Sequence, residues 1–185
     1  MGNLAGIDLG TTFSALAMLN SIGKGQIVPN SEGERITPSA VYFDEDSKVV
    51  RVGIEAINSR QINPERCARW AKRNMGDTDY RKTIDDKDFS AEDISALILK
   101  KLKQDAEIEH DNIDDVVISV PAHFDEVRRK ATMNAGVMAG LNGIGIVNEP
   151  VAASLYYATT QDVSGRVLVY DLGGGTFDAT ILQVE

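Results

Sequence analysis

Two short stretches of this sequence combine an Asp with a turn of Gly and Thr residues. Residues 7–13 read IDLGTTF, and residues 170–177 read YDLGGGTF. A Gly/Thr turn exposes backbone N–H groups that can bind phosphate oxygens, because glycine has no Cβ to shield them. A carboxylate beside such a turn needs a cation between itself and the phosphate, and hydrated Mg²⁺ is the usual one. Each stretch therefore predicts half of a metal–nucleotide phosphate site.

An ordinary turn is the simpler interpretation of either stretch alone, because Asp and Gly dominate turns. The two copies have matched residue order and lie about 160 residues apart. Turn chemistry alone explains such a pair poorly. Two phosphate-binding turns that face each other would hold a polyphosphate from both sides, and this is the arrangement we expect.

Strands must position these turns. Apolar runs at 4–9 and 12–19 flank the first turn and predict a β-hairpin. The second half of the chain alternates between strand and helix patterns. This alternation predicts a sheet with parallel strands covered by helices.

Two helices are predicted in the middle of the chain. Ser90 and Asp93 have the spacing of a capping box, and the apolar residues that follow recur at helical spacing, so a long helix is expected there. Asn63, Pro64 and Gly76 are boundary signals that predict a short helix between them. That short helix would carry a lysine at position 72.

Composition limits the class of protein. The chain has 185 residues, a net charge of −9 and one cysteine, Cys67. The acidic balance disfavours a nucleic-acid partner, which needs clustered Lys and Arg. One cysteine cannot form a disulfide within the chain, which fits a reducing compartment. No apolar run approaches the roughly 20 residues that span a bilayer, so we expect a cytoplasmic protein with no membrane partner.

Six motifs taken together resemble one known family. In chain order they read GIDLGTTFS, AKRNMG, VISVPAHF, RKAT, GLNGIGIVNEPVAAS and VYDLGGGTFDATI. They are similar to the nucleotide-binding domain of the heat-shock-protein-70 (DnaK-type) chaperones, in the actin-like ATPase superfamily. The resemblance implies an α/β fold of the actin-like (ribonuclease-H-like) class, with a mixed sheet flanked by helices and a smaller inserted α+β subdomain.

The resemblance also implies a division of the chain. Residues 1–37 and 112–163 would form the core subdomain of a first lobe, and the charge-rich residues 38–111 an inserted subdomain. Residues 164–185 would be the first hairpin of a second lobe that is cut short. On this interpretation the chain is a piece of a longer protein. ATP hydrolysis would belong to that longer protein, and this chain alone would be inactive.

Site roles follow from the resemblance, position by position. Asp8 and Asp171 would hold Mg²⁺, mainly through its water shell, and a monovalent cation such as K⁺. The phosphates of ATP or ADP would be bound by Gly10, Thr11 and Thr12 from one side and by Gly173, Gly174, Gly175 and Thr176 from the other. The catalytic residues would be Lys72, Glu149, Asp171 and Thr176, with Lys72 at the terminal phosphate and Glu149 orienting the attacking water or the metal shell.

The remaining implications concern the longer protein. Pro121 and Arg129 would relay the nucleotide state towards a substrate-binding domain, and the partners would be unfolded polypeptides and co-chaperones. Met133 stands where the family often has Lys, and Val151 where it usually has Thr. These two departures indicate a divergent member of the family that the motifs resemble.

Alternatives stay open at this level. On a purely structural interpretation, Lys72 is an ordinary solvent-exposed lysine of a helix. Glu149 is then a negative charge placed where a helix N-terminus favours it. Glu149 also follows the carboxyl end of a predicted strand, where α/β sheets bind ligands. For the function, the same superfamily offers a sugar or acetate kinase and a filament-forming ATPase. The motifs AKRNMG and GGGTFD favour the chaperone.

Overall fold

The computed structural model describes residues 3–110, 112–161, 164–173 and 177–184. The α-helices within these ranges are α1 (Ile54–Ser59), α2 (Ala91–Ala106), α3 (Glu126–Met138) and α4 (Glu149–Gln161). The strands are β1 (Asn3–Asp8), β2 (Phe13–Leu19), β3 (Gly25–Ile27), β4 (Thr37–Pro38), β5 (Ala40–Phe43), β6 (Val50–Val52), β7 (Cys67–Arg69), β8 (Lys82–Ile84), β9 (Lys87–Phe89), β10 (Ile113–Val120), β11 (Gly143–Asn148), β12 (Gly165–Leu172) and β13 (Phe177–Val184).

The largest sheet carries the first turn. Its strand order is β11-β10-β1-β2-β3, and β4 pairs with β2. Strands β1 and β2 form the predicted antiparallel hairpin, and β10 and β11 are parallel, as the alternating pattern predicted. Strand β1 is also parallel to β10, whereas β12, the third strand of the alternating pattern, lies outside this sheet and pairs with β13. The carboxyl ends of three parallel strands therefore meet at one edge of the sheet, where α/β folds bind ligands.

Helices α2 and α3 pack against this sheet and against each other. Ile94 and Leu99 of α2, Ile118 of β10 and Ala135 of α3 are almost fully buried in one core. Burial of side chains of this kind is worth about 1.5–3 kcal/mol for each large one. Helix α2 belongs by sequence to segment 38–111 but shares its core with the sheet.

The predicted capping box of α2 is confirmed. The Ser90 hydroxyl accepts a hydrogen bond from the Asp93 backbone N–H at 3.1 Å, and the Asp93 carboxylate accepts one from the Ser90 N–H at 2.8 Å. Two N–H groups that the helix itself cannot use are thereby satisfied.

The short helix predicted between Asn63 and Gly76 is wrong. The segment forms a 3₁₀ turn (Pro64–Arg66), strand β7, and a second 3₁₀ turn (Ala71–Asn74). Strand β7 pairs with β5. Trp70, the next residue, has a left-handed φ of 59°, and this backbone angle excludes a continuous α-helix through the segment. The pairing of β7 with β5 therefore determines the structure of this segment, although Asn63, Pro64 and Gly76 are typical helix boundary residues.

Strands β12 and β13 form a separate antiparallel hairpin, against which α4 packs. Leu168 and Leu172 lie opposite Ile181 and Phe177, and all four side chains are exposed. Among the described helices, none is long and apolar enough to cross a membrane.

Candidate functional site

A cleft of about 850 Å³ opens at the carboxyl ends of the parallel strands. It is also lined by residues of α4 and β12. The structure brings together in this cleft most of the predicted site residues, namely Asp8, Gly10, Thr11, Thr12, Lys72, Glu149, Asp171 and Gly173. The predicted residues Gly174, Gly175 and Thr176 lie outside the described residues.

The first turn is tight at Gly10. A Cβ at this position would collide with the carbonyl oxygen of Phe13, so the turn admits no side chain there. The Gly10 N–H donates to the hydroxyl of Ser14 at 3.2 Å. This bond occupies the Gly10 N–H, and the next two residues, Thr11 and Thr12, line the cleft.

Lys72 and Glu149 form an ion pair across 77 residues of sequence. Lys72 lies on the second 3₁₀ turn, and its amine donates to a carboxylate oxygen of Glu149, the first residue of α4. The side chains are only 9% and 14% exposed, respectively. The alternative of a solvated helix lysine is therefore wrong.

Burial raises the pKa of Glu149 above its ordinary value. Lys72 acts in the opposite direction by charge and by hydrogen bonding, while the negative charges of Asp8 and Asp171 raise the pKa further. A desolvated carboxyl that faces two other carboxylates binds its proton more tightly. The cleft thus concentrates negative charge beside one buried lysine, which is an arrangement that favours an added cation.

Asp8 is oriented by a neighbouring strand. In the parallel register of β1 and β10, Asp8 lies opposite Ser119. The Ser119 hydroxyl is buried and donates to one carboxylate oxygen of Asp8 at 3.0 Å. Asp8 also lines the cleft. Across the described ranges, no group of three or more His, Cys, Asp or Glu side chains could hold a metal ion.

Arg129 connects α3 with the residue that precedes Glu149. Its guanidinium donates to the Asn148 side-chain oxygen at 2.7 Å and to the Phe124 carbonyl at 3.0 Å. Pro121, at the end of β10, is fully buried. Met133, on α3, is 40% exposed.

Sequence reasoning missed three serines, Ser14, Ser39 and Ser119, which contact the first turn or Asp8. Ser119 carries a weak signal, because it is a polar residue within the apolar strand VVISV. Ser14 and Ser39 carry none, since their partners depend on how distant segments pack.

Comparison with known proteins gives one consistent result. A family model described as Hsp70 protein matches residues 4–87 and 77–185. Proteins named Chaperone protein DnaK from Thermotoga neapolitana, Thermotoga petrophila and Thermotoga maritima are each 48% identical over 185 residues. Each match covers 98% of this chain. The chain spans about 30% of the length of these curated relatives.

Proposed function

Because this chain belongs to the Hsp70 family, which has the actin-like ATPase fold, we propose that it forms the first part of an ATP-binding and ATP-hydrolysing domain of a molecular chaperone. Family membership confirms the resemblance seen in the motifs and the predicted α/β class with a mixed sheet flanked by helices. The observation that best supports the function is the cleft in which Asp8, the Gly10 turn, Lys72, Glu149 and Asp171 meet.

Thr11 and Thr12 would bind phosphate oxygens through their backbone N–H and hydroxyl groups. Both residues are half-buried and line the cleft. Gly10 would contribute by shape, because its missing Cβ allows the turn to close. Gly173 lines the same cleft and would act from the second turn, together with the Gly-Gly-Thr that follows it. Donors fixed in advance stabilise phosphate charge without reorganising.

Hydrated Mg²⁺ fits the donor set of this cleft. Asp8 and Asp171 are oxygen ligands of the kind that Mg²⁺ prefers, and both line the cleft. Their charges act on Glu149, so a hydrated cation in the cleft would be stabilised by charge. Because no three such side chains of the described residues are placed to ligate a metal together, the ion would keep its water shell. Bound Mg²⁺ would neutralise charge on the phosphate oxygens. We propose that Asp8 and Asp171 hold its water shell, and that K⁺ accompanies it.

Lys72 would act on the terminal phosphate, and Glu149 on the attacking water. The ion pair holds the Lys72 amine in the cleft, so little side-chain entropy remains to be lost when an anion binds. Catalysis of phosphoryl transfer depends mainly on such positioning and on electrostatic stabilisation. Glu149 carries an oxygen that can accept a hydrogen bond from water.

The wider proposal concerns the longer protein. The relatives are named as chaperones, which favours a chaperone over the sugar-kinase and filament alternatives. We propose unfolded polypeptides and co-chaperones as partners, with Pro121 and Arg129 as the relay, and a cytoplasmic location. We also propose the division into residues 1–37 with 112–163, residues 38–111 and residues 164–185.

The function is tested in the longer protein by Lys72→Ala. Loss of a preorganised charge at the transition state typically lowers the rate by about 10²–10³. We expect single-turnover hydrolysis to fall by that factor while ATP binding is largely kept. Lys100→Ala, an exposed lysine of α2, is the matched control. Hydrolysis within a few fold of wild type would contradict the assignment.

The expectation that this chain supplies only part of the nucleotide site is tested on the 185-residue chain itself. We expect weak ATP binding, about millimolar or −4 kcal/mol, and no turnover. Calorimetry gives the affinity, and phosphate release gives the turnover. Micromolar binding of Mg²⁺-ATP, or steady phosphate release, would show that the chain forms a complete site.

A further inference from the structure

We propose that Ser14 and Ser39 are positioning residues that set the shape of the Gly10 turn for phosphate binding. They do so through a closed ring of three hydrogen bonds. The ring itself is a feature of the structure, and its purpose rests on the proposed function. Neither serine was expected to matter from the sequence.

The ring joins both polar atoms of the Gly10 backbone to two hydroxyls. The Gly10 N–H contacts the Ser14 oxygen at 3.2 Å, and the Ser39 hydroxyl contacts the Gly10 carbonyl oxygen at 2.8 Å. The two hydroxyl oxygens lie 2.9 Å apart. Ser39 is 25 residues from Ser14 and lies between β4 and β5.

Counting protons fixes the direction of each bond in the ring. A carbonyl oxygen can only accept, so the single hydroxyl proton of Ser39 is used on Gly10. The bond between the two serines must then be donated by Ser14. The Ser14 oxygen is left to accept the Gly10 N–H. Three donors thus meet three acceptors, and no member can be removed without leaving another unpaired.

Burial makes the ring difficult to replace by water. Ser14 is 1% exposed and Ser39 is 5% exposed. A buried polar group that loses its partner keeps the full cost of its desolvation. We therefore expect the loss of either hydroxyl to change the turn and not merely to exchange one partner for a water molecule.

The ring also decides which groups of the turn are available to an anion. Ser39 engages the turn twice, since its N–H donates to the Thr12 carbonyl at 2.8 Å while its hydroxyl donates to the Gly10 carbonyl. Carbonyl oxygens repel phosphate oxygens. Because the carbonyl oxygens of Gly10 and Thr12 are both hydrogen-bonded to Ser39, they are held away from an anion in the cleft. The donor groups of Thr11 and Thr12, which line the cleft, then remain for that anion.

Amide hydrogen exchange of the 185-residue chain, followed by NMR without any ligand, tests the ring. In Ser14→Ala and in Ser39→Ala we expect the Gly10 amide to exchange about tenfold faster, as loss of one net hydrogen bond implies. The Ser39 variant is the sharper test, because Ser39 does not touch that amide. Ser21→Ala, at an exposed serine, is the control and should leave it unchanged. Unchanged exchange in Ser39→Ala would overturn the ring.

A second pair of variants keeps the test valid if alanine disturbs the fold. Ser39→Thr retains the hydroxyl. Ser39→Val has nearly the shape of the threonine variant but lacks the hydroxyl. We expect the threonine variant to protect the Gly10 amide better than the valine variant at matched unfolding midpoints. If both exchange alike, or if both unfold while Ser39→Ala exchanges as wild type, the proposal is wrong.

The purpose of the ring is tested with inorganic tripolyphosphate and with adenosine as separate probes, in the longer protein. We expect Ser39→Ala to weaken tripolyphosphate binding about tenfold or more and to leave adenosine binding unchanged. Equal losses for both probes would overturn the positioning role. Absence of ATP and tripolyphosphate binding in the wild type would instead refute the proposed function, while the exchange result on the ring would stand.

Discussion

Replacing Lys72 by methionine should destabilise the chain by leaving Glu149 without its cation. Methionine keeps most of the apolar stem of lysine, so the change removes mainly the charge. The two side chains are 9% and 14% exposed. Breaking a buried ion pair from one side costs about 3–5 kcal/mol. Since this pair borders on an open cleft, we expect the free energy of unfolding to fall by about 2–3 kcal/mol at about pH 7.5.

The loss should depend on pH, with a sign that the structure fixes. In the wild type the pKa of Glu149 is already raised, chiefly by burial, and Lys72 limits the rise. Without Lys72 the pKa of Glu149 rises further. A folded state that binds a proton more tightly than the unfolded state loses stability as pH increases through the window between the two pKa values. The variant should therefore approach the wild type as pH falls towards the ordinary range of Glu.

Urea unfolding in metal-free buffer, followed by circular dichroism at several pH values, measures this effect. The double variant Lys72→Met with Glu149→Gln removes both charges and should recover most of the loss, with no dependence on pH from this pair. Lys100→Met, on the exposed face of α2, controls for loss of a lysine as such. Equal destabilisation at low and neutral pH, or no recovery in the double variant, would refute an unpaired carboxylate as the cause.

Three further changes probe other contacts. Gly10→Ala should lower the free energy of unfolding by about 1–3 kcal/mol, because its Cβ meets the Phe13 carbonyl, and wild-type stability in urea would contradict that collision. Asp171→Asn in the longer protein should weaken Mg²⁺-ATP more than metal-free ATP, and equal losses in calorimetry would exclude a metal role. Asp85→Asn should destabilise the chain at neutral pH, because hydrogen bonds from Arg66 hold the pKa of Asp85 well below its ordinary value. That stabilisation is lost as pH falls through the lowered pKa, so wild type and variant should converge in acid unfolding curves.

Local chemistry made part of the fold predictable. The β1–β2 hairpin follows from two apolar runs around a Gly/Thr turn, and the start of α2 follows from Ser90 and Asp93. These signals act over a few residues, so no knowledge of packing is needed to read them. The parallel pairing of β10 with β11 was predictable for a related reason, because alternation of strand and helix leaves few other arrangements. The same alternation did not predict that β12 leaves this sheet and pairs with β13.

Signals that depend on distant partners were misread or missed. The segment around Lys72 carries helix boundary residues, but pairing of β7 with β5 makes it a strand between two 3₁₀ turns. The resemblance places Lys72 in the site, whereas the sequence around it alone predicts a solvated side chain. Its burial beside Glu149 depends on bringing two segments together that are 77 residues apart.

The sequence by itself determined which groups we propose for binding phosphate and metal, because the Asp, Gly and Thr of each turn are adjacent in the chain. Only the tertiary structure decided how those groups are used. The register of β1 against β10 places Ser119 beside Asp8. Packing also places Ser14 and Ser39 beside Gly10, where Ser14 accepts from its N–H and Ser39 donates to its carbonyl oxygen. Hydrogen-bond partners of this kind are set by the packing of whole elements, and no spacing within the sequence encodes them.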